Sequence, residues 1–191
     1  EGKLSLDDPA DKYIPELQLQ QYPTADAPRI TIRHLLTHSA GFPEDNPWGD
    51  RQLADTDQEF MEFLRKRISF SNPPGIAYEY SNLGFALLGK IITNVSGIRY
   101  QDYIRENIWQ PLGMQHTEYE YSNVAPEKLA HGYRWLNETW NEEELLHDMP
   151  DGSWGAMGSM ICSVEEFARY MALHLNAWPP NNTADTAPVK R

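Results

Sequence analysis

Apolar positions along this chain fall into several stretches of helical spacing, separated by polar, proline-rich intervals, and only one stretch suggests strands. The clearest run follows Pro73-Pro74-Gly75-Ile76-Ala77-Tyr78-Glu79-Tyr80-Ser81-Asn82. Two prolines restrict φ and Gly75 permits a reversal, so a turn is expected before Ile76. Ser81 is a good N-cap. Leu83, Ala86, Leu87, Ile91 and Val95 then recur on one face until Gly97, which predicts a helix over 82–96. Thr31 predicts a short helix over 32–39, stopped by Gly41 and Pro43. Thr56 and Glu59 form a capping box for a helix over 57–68, with Phe60, Phe63, Leu64 and Arg67 on one side. Tyr100, Tyr103, Ile104 and Ile108 predict a helix that ends before Pro111. Ser163 and Glu166 make a second box before an amphipathic helix through Leu175.

Between these runs the signals are weaker. Residues 7–28 are interrupted by prolines and read as a connecting loop. Residues 44–55, polar with one tryptophan, read as a loop able to border a pocket. Residues 132–140 read as a short hairpin or irregular arm. Residues 152–158 are flexible by composition, or carry glycines that let backbone pass close to another element. The tail from Pro179 has too few large apolar residues to fold alone and reads as linker or loop, leaving residues 1–178 as one domain. The expected body is mainly α, with at least four helices and little sheet.

A chain of 191 residues with 40% hydrophobic content can bury one sizeable core. Its net charge of −12 argues against nucleic acid and anionic lipid as partners, since phosphate recognition needs clustered Lys and Arg. The one basic run, Arg65-Lys66-Arg67, sits where a helix ends and cations complement its dipole. The acidic run at 142–144 reads as solvated. A single cysteine, Cys162, excludes an internal disulfide framework and a four-cysteine zinc site. No apolar run approaches the ~20 residues that cross a bilayer. His34 and His38 are four apart, a metal-compatible spacing, but no carboxylate lies between them and no third ligand is suggested. No Gly-x-Ser-x-Gly elbow is present, and Gly155-Ala156-Met157-Gly158-Ser159 lacks the Lys of a phosphate loop. No cofactor is called for.

The candidate chemistry is therefore at Tyr80 and Asn82. Both are expected at a helix N-terminus, whose partial positive charge would favour a phenolate beside a hydrogen-bonding amide. The same triplet recurs as Tyr121-Ser122-Asn123 without the Pro-Pro-Gly turn or the following helix, and there it reads as coincidence. By local physics alone, Tyr80 as a half-buried aromatic and Ser81-Asn82 as ordinary helix capping is the favoured reading over a catalytic one.

Around the first triplet the chain resembles the serine β-lactamase and penicillin-binding protein superfamily, in its class C-like branch of β-lactamase-related esterases and peptidases. Further landmarks run in family order: Leu4 to Pro9, Ile30-Thr31-Ile32-Arg33-His34-Leu35-Leu36-Thr37-His38-Ser39-Ala40-Gly41, Pro111 to Thr117, Ala130 to Tyr133, and Gly155 to Tyr170. The resemblance implies a β-lactamase/transpeptidase-like α/β fold and acyl transfer to serine on an amide, β-lactam or ester. In it Tyr80 would be the general base and Asn82 the substrate clamp, and export to a periplasm or cell surface is implied. It also implies a Ser-x-x-Lys nucleophile motif and a Lys-Thr-Gly-like strand, yet neither pattern occurs among these residues. The chain thus reads as an internal fragment, the helical portion of the fold, with most of the central antiparallel sheet outside it and no activity of its own. The rival expectation is a non-catalytic helical binding or scaffolding module that keeps the fold. The pattern leaves the oligomeric state open.

Overall fold

The computed structural model describes residues 2–46, 48–142 and 151–177. Five helices carry the body: α1 (Ile32–Leu36), α2 (Asp57–Arg65), α3 (Asn82–Ser96), α4 (Tyr100–Ile104) and α5 (Val164–Ala177). A π-helical turn, Arg105–Trp109, prolongs α4. The two-stranded antiparallel sheet of β1 (Tyr133–Leu136) and β2 (Thr139–Glu142) is the sheet found among the described residues.

Caps and periodicity set the helices where the sequence suggested. Thr56 and Glu59 form the full capping box of α2, and Phe60 and Leu64 bury its inner face. Ser81 accepts the Gly84 N–H at 3.3 Å to start α3, and Gly97 ends it in the left-handed region. Leu83, Ala86, Leu87 and Ile91 face the core beside Ile32, Leu35, Phe60 and Trp154. A smaller cluster of Tyr100, Trp109, Met114 and Tyr119 packs under α4. In the hairpin Trp135 pairs with Trp140, and Asn137 and Glu138 both take positive φ, the turn that matches strand twist.

Several expectations need correcting. Residues 7–28 are more than a loop: 3₁₀ turns at Ala10–Lys12 and Pro15–Leu19 bury Ala10, Ile14 and Leu17, and Arg29 pairs with the buried Asp11. Helix α1 stops at Leu36 rather than 39, because the chain reverses through a left-handed His38. Helix α2 stops at Arg65 rather than 68, since Lys66 is extended and the Ile68 N–H turns to the Gln20 side chain at 2.7 Å. The box at Ser163 is half made. Ser163 accepts the Glu166 N–H, but the Glu166 carboxylate is drawn to the His116 N–H at 2.9 Å and the Thr117 hydroxyl at 2.6 Å. The residues 152–158 are pinned rather than flexible: a Cβ on Gly155 would collide with Asp151 and the Tyr100 hydroxyl, so only glycine allows the approach. The tail expected as linker, 179–191, and residues 143–144 of the acidic run lie outside the described residues.

Candidate active site

The turn before α3 is held by one neighbouring strand of chain. The Gly75 N–H bonds to the Ser39 carbonyl at 2.8 Å, the Glu79 N–H to the His38 carbonyl at 2.8 Å, and the Ser71 N–H to the Gly41 carbonyl at 2.9 Å. Gly75 takes φ 84° there, as its place after two prolines suggested. The Glu79 carboxylate fastens the same turn by accepting from the Glu44 N–H, the Ser71 hydroxyl and the Asn72 amide. Tyr80, 37% exposed, is thereby presented at the entrance of α3.

The Tyr80 hydroxyl donates to Asn82 Oδ1 at 3.0 Å. Both residues line a cleft of about 310 Å³, whose other walls include Asp50, Leu53, Tyr119, Tyr121, Asp151 and Ser159. The 44–55 segment thus does border a pocket. Asn82 is 3% exposed, and its Nδ2 is buried with no hydrogen-bond partner. The 3₁₀ turn Gly49–Gln52 covers that nitrogen, with Gly49 lying directly against the Asn82 side chain. Tyr121 heads a 3₁₀ turn on the far wall; its triplet starts no α-helix.

Sequence reasoning missed three contributors. Asp45 accepts the Asn82 N–H at 2.7 Å, the Leu83 N–H at 2.9 Å and the Ser81 hydroxyl at 3.3 Å. Asp151, buried at the cleft floor, accepts from the Tyr100 hydroxyl at 2.9 Å and the Gln101 amide at 2.7 Å, and is also bonded by the Ser159 hydroxyl. The His38 ring lies tilted against that of Tyr80. Tyr121 and Ser159 stood within stretches the sequence singled out for other reasons; Asp45 and Asp151 carried no local signal.

Asp45 overturns one expectation. The first two free N–H groups of α3, expected to favour a phenolate, are already taken by a carboxylate. Burial raises the Tyr80 phenol above its ordinary value, and Asp45, Asp50, the neighbouring Tyr78 and Glu44 raise it further. No described residue lining the cleft is basic. The phenol is therefore protonated at neutral pH and acts as a donor to Asn82. His34 and His38 do not converge on a shared ligand position: the His34 Nδ1 accepts the Thr31 N–H and the His38 Nδ1 the Ser81 N–H. Among the described residues no group of three or more His, Cys, Asp or Glu is placed to hold a metal, and no helix is long and apolar enough to cross a membrane.

Comparison with known proteins shows the class to which this helical body belongs. The Beta-lactamase family profile matches residues 1–189, and the chain belongs to that family. Beta-lactamase-like protein 2 of Dictyostelium discoideum is 33% identical over 183 residues, covering 92% of this chain and 32% of that protein. Penicillin-binding protein 4* of Bacillus subtilis (strain 168) is 30% identical over 153 residues, 77% of this chain and 32% of its own length. The octameric penicillin-binding protein homologue from Pyrococcus abyssi superposes with a TM-score of 0.71 at 30% identity, covering 92% of this chain and 40% of that one. A class C β-lactamase shares the fold with a TM-score of 0.68 at 22% identity, over 92% of this chain and 44% of that one. The chain spans about a third of the length of these curated relatives, 32% in each case.

Proposed function

We propose that these residues are the base-and-clamp portion of a serine hydrolase that forms an acyl-enzyme with an amide, β-lactam or ester. The observation that carries the reading is the Tyr80 hydroxyl held 3.0 Å from Asn82 on the wall of an open cleft, beside an Asn82 Nδ2 with no partner. A buried amide N–H left unpaired costs about 1–3 kcal/mol, and a substrate carbonyl would relieve it. The Gly49–Gln52 turn must shift for that carbonyl to reach the nitrogen.

In this reading the nucleophile is the serine of a Ser-x-x-Lys motif outside these residues. Its Oγ attacks the carbonyl carbon while Tyr80, as phenolate, takes the hydroxyl proton and returns it to the leaving group; water then repeats the sequence on the acyl-enzyme. A tyrosine ordinarily titrates near pH ~10, and this one is raised by burial and acids, so the base role requires a cation close to the phenol. The lysine of the motif would be that cation. An apolar groove of about 590 Å³, lined by Leu4, Leu6, Leu36, Leu88, Ile104 and Ile108 among others, supports the reading that more of the fold packs against α3 and α4.

The test compares the 191-residue chain with a polypeptide extended upstream in its reading frame, using nitrocefin and a short-chain nitrophenyl ester. The shorter chain should not exceed the buffer control and the extended one should. Tyr80→Phe in the extended polypeptide should lose ~10²–10⁴-fold with unchanged folding, the ordinary contribution of a positioned base. Full activity of that variant would remove Tyr80 from the mechanism. Turnover by the shorter chain, abolished by Ser81→Ala, would place the nucleophile at Ser81 instead. An extended polypeptide that binds but turns over nothing would favour the non-catalytic module.

A further inference from the structure

Helix α1 ends in a motif whose left-handed position is normally glycine, and here it is a histidine. The Ser39 N–H bonds back to the His34 carbonyl at 2.9 Å and the His38 N–H to the Leu35 carbonyl at 3.3 Å, while His38 itself takes φ 51°. Holding a residue with a Cβ in that region is strained. The His38 side chain has contacts that a glycine could not supply.

Its Nδ1 accepts the Ser81 N–H at 3.1 Å, and its carbonyl accepts the Glu79 N–H at 2.8 Å. The residues on both sides of Tyr80 are therefore tied to this one residue. Its ring lies against the Tyr80 ring at 4.7 Å between centroids and 31° between planes, and stacks on Phe85 at 5.0 Å on α3. Tyr78 meets it edge-on at 5.6 Å.

The cap of α3 explains why an acceptor is needed at this position. In a complete capping box the N–H of the N-cap residue is accepted by a Glu or Gln three positions later. That position is Gly84, which has no side chain to offer. Asp45 serves the N–H groups of Asn82 and Leu83, and Ser81 serves Gly84, which leaves the Ser81 N–H itself. The His38 Nδ1 takes it. Accepting there requires a lone pair on Nδ1, which fixes the neutral tautomer with its proton on Nε2.

We infer that His38 is a positioning residue for Tyr80: by accepting the Ser81 N–H it locks the backbone that aims the phenol into the cleft. The inference rests on the base role proposed for Tyr80. Two substitutions in the upstream-extended polypeptide separate hydrogen bonding from packing. Asparagine adopts the left-handed region readily and its Oδ1 can accept the Ser81 N–H, but it offers no ring. Phenylalanine offers the ring and no acceptor.

With both variants confirmed folded at the assay temperature by circular dichroism, His38→Asn should keep kcat for a nitrophenyl ester within ~3-fold. His38→Phe should lose ~10-fold or more in kcat with KM nearly unchanged, because a misaimed catalytic group affects the reacting geometry before it affects binding. The Ser81 amide resonance should keep its downfield position in His38→Asn and move in His38→Phe. A purely structural packing role predicts the reverse order. Full kcat in His38→Phe, or equal losses in the two variants, or a Ser81 amide indifferent to both, would overturn the inference. Tyr80→Phe measured alongside keeps the two questions apart: if it is fully active the base assignment fails, and if it is inactive while His38→Phe is fully active only the role of His38 fails.

Discussion

Removing the Asp45 carboxylate should damage the fold and the electrostatics of Tyr80 in opposite senses. Its two oxygens accept the N–H groups of Asn82 and Leu83, residues only 3% and 4% exposed. A hydrogen bond to a charged acceptor contributes about 1.5–3 kcal/mol, and a buried donor left without a partner costs about 1–3 kcal/mol. These figures overlap rather than add, since one carboxylate serves both groups and water can enter where half-buried Asp45 stood. A loss of about 2–4 kcal/mol follows for Asp45→Ala, with the lost helix-dipole term already included in that range. For a domain of this size it corresponds to a fall in Tm of roughly 5–15 °C. Asp45→Asn keeps an acceptor for one of the two N–H groups and should lose about half as much. Asp45 also helps hold the Tyr80 phenol above its ordinary range, second only to burial, so Asp45→Ala should make that phenol ionise at lower pH. Thermal melts read the first effect. The absorbance change of tyrosine ionisation, taken as the difference from the Tyr80→Phe protein, reads the second. A Tm unchanged in Asp45→Ala would show that Asp45 does not cap α3, and a phenol that ionises at higher pH when the acid is gone would show that Asp45 does not raise it.

Two further outcomes follow from the buried polar floor of the cleft. Burial, reinforced by Asp151, raises the phenols of Tyr100 and Tyr119, so the unfolded chain releases those protons first. Stability present below pH ~10 should fall as pH rises beyond it, by about 1.4 kcal/mol per pH unit for each such tyrosine, and the urea midpoint should drop accordingly. Ionisation of both phenols near pH 10 in the still-folded protein would contradict this. Gly155→Ala should be far worse than an ordinary surface glycine substitution, because its new methyl meets Asp151 and the Tyr100 hydroxyl. The expected loss is about 1–3 kcal/mol, and a Tm equal to that of the parent would show that the floor can yield.

The helices were most legible where two independent local signals, a cap and a period, coincided. Thr56 with Glu59 and Ser81 before Leu83 are cases where both agreed and both formed. The 3₁₀ turns over residues 10–19 were not legible, although Ala10, Ile14 and Leu17 sit at helical spacing, because Pro9 and Pro15 break the run into pieces too short for the period to register. The half-made box at Ser163 failed for another reason. Glu166 had a competing use 50 residues away in sequence, at His116 and Thr117, which no window around Ser163 contains.

The site divides along the same line. Tyr80 and Asn82 meet because a forced turn runs straight into a capped helix, and two residues of separation at such a junction suffice to predict the contact. Asp45 and His38 come to the same spot from 37 and 43 residues away, through packing of α1 against α3 and the loop that follows α1. That distance is also why the phenol of Tyr80 shifts in the direction opposite to the one expected. A helix N-terminus attracts anions, so the sequence alone favoured a phenolate; the same attraction had already drawn in the Asp45 carboxylate, which satisfies the N–H groups and leaves the phenol facing acids. An N-terminus can stabilise a reacting anion only if no permanent anion caps it. Within these residues the cap is occupied, so any base role for Tyr80 must draw its positive charge from a side chain and not from the helix.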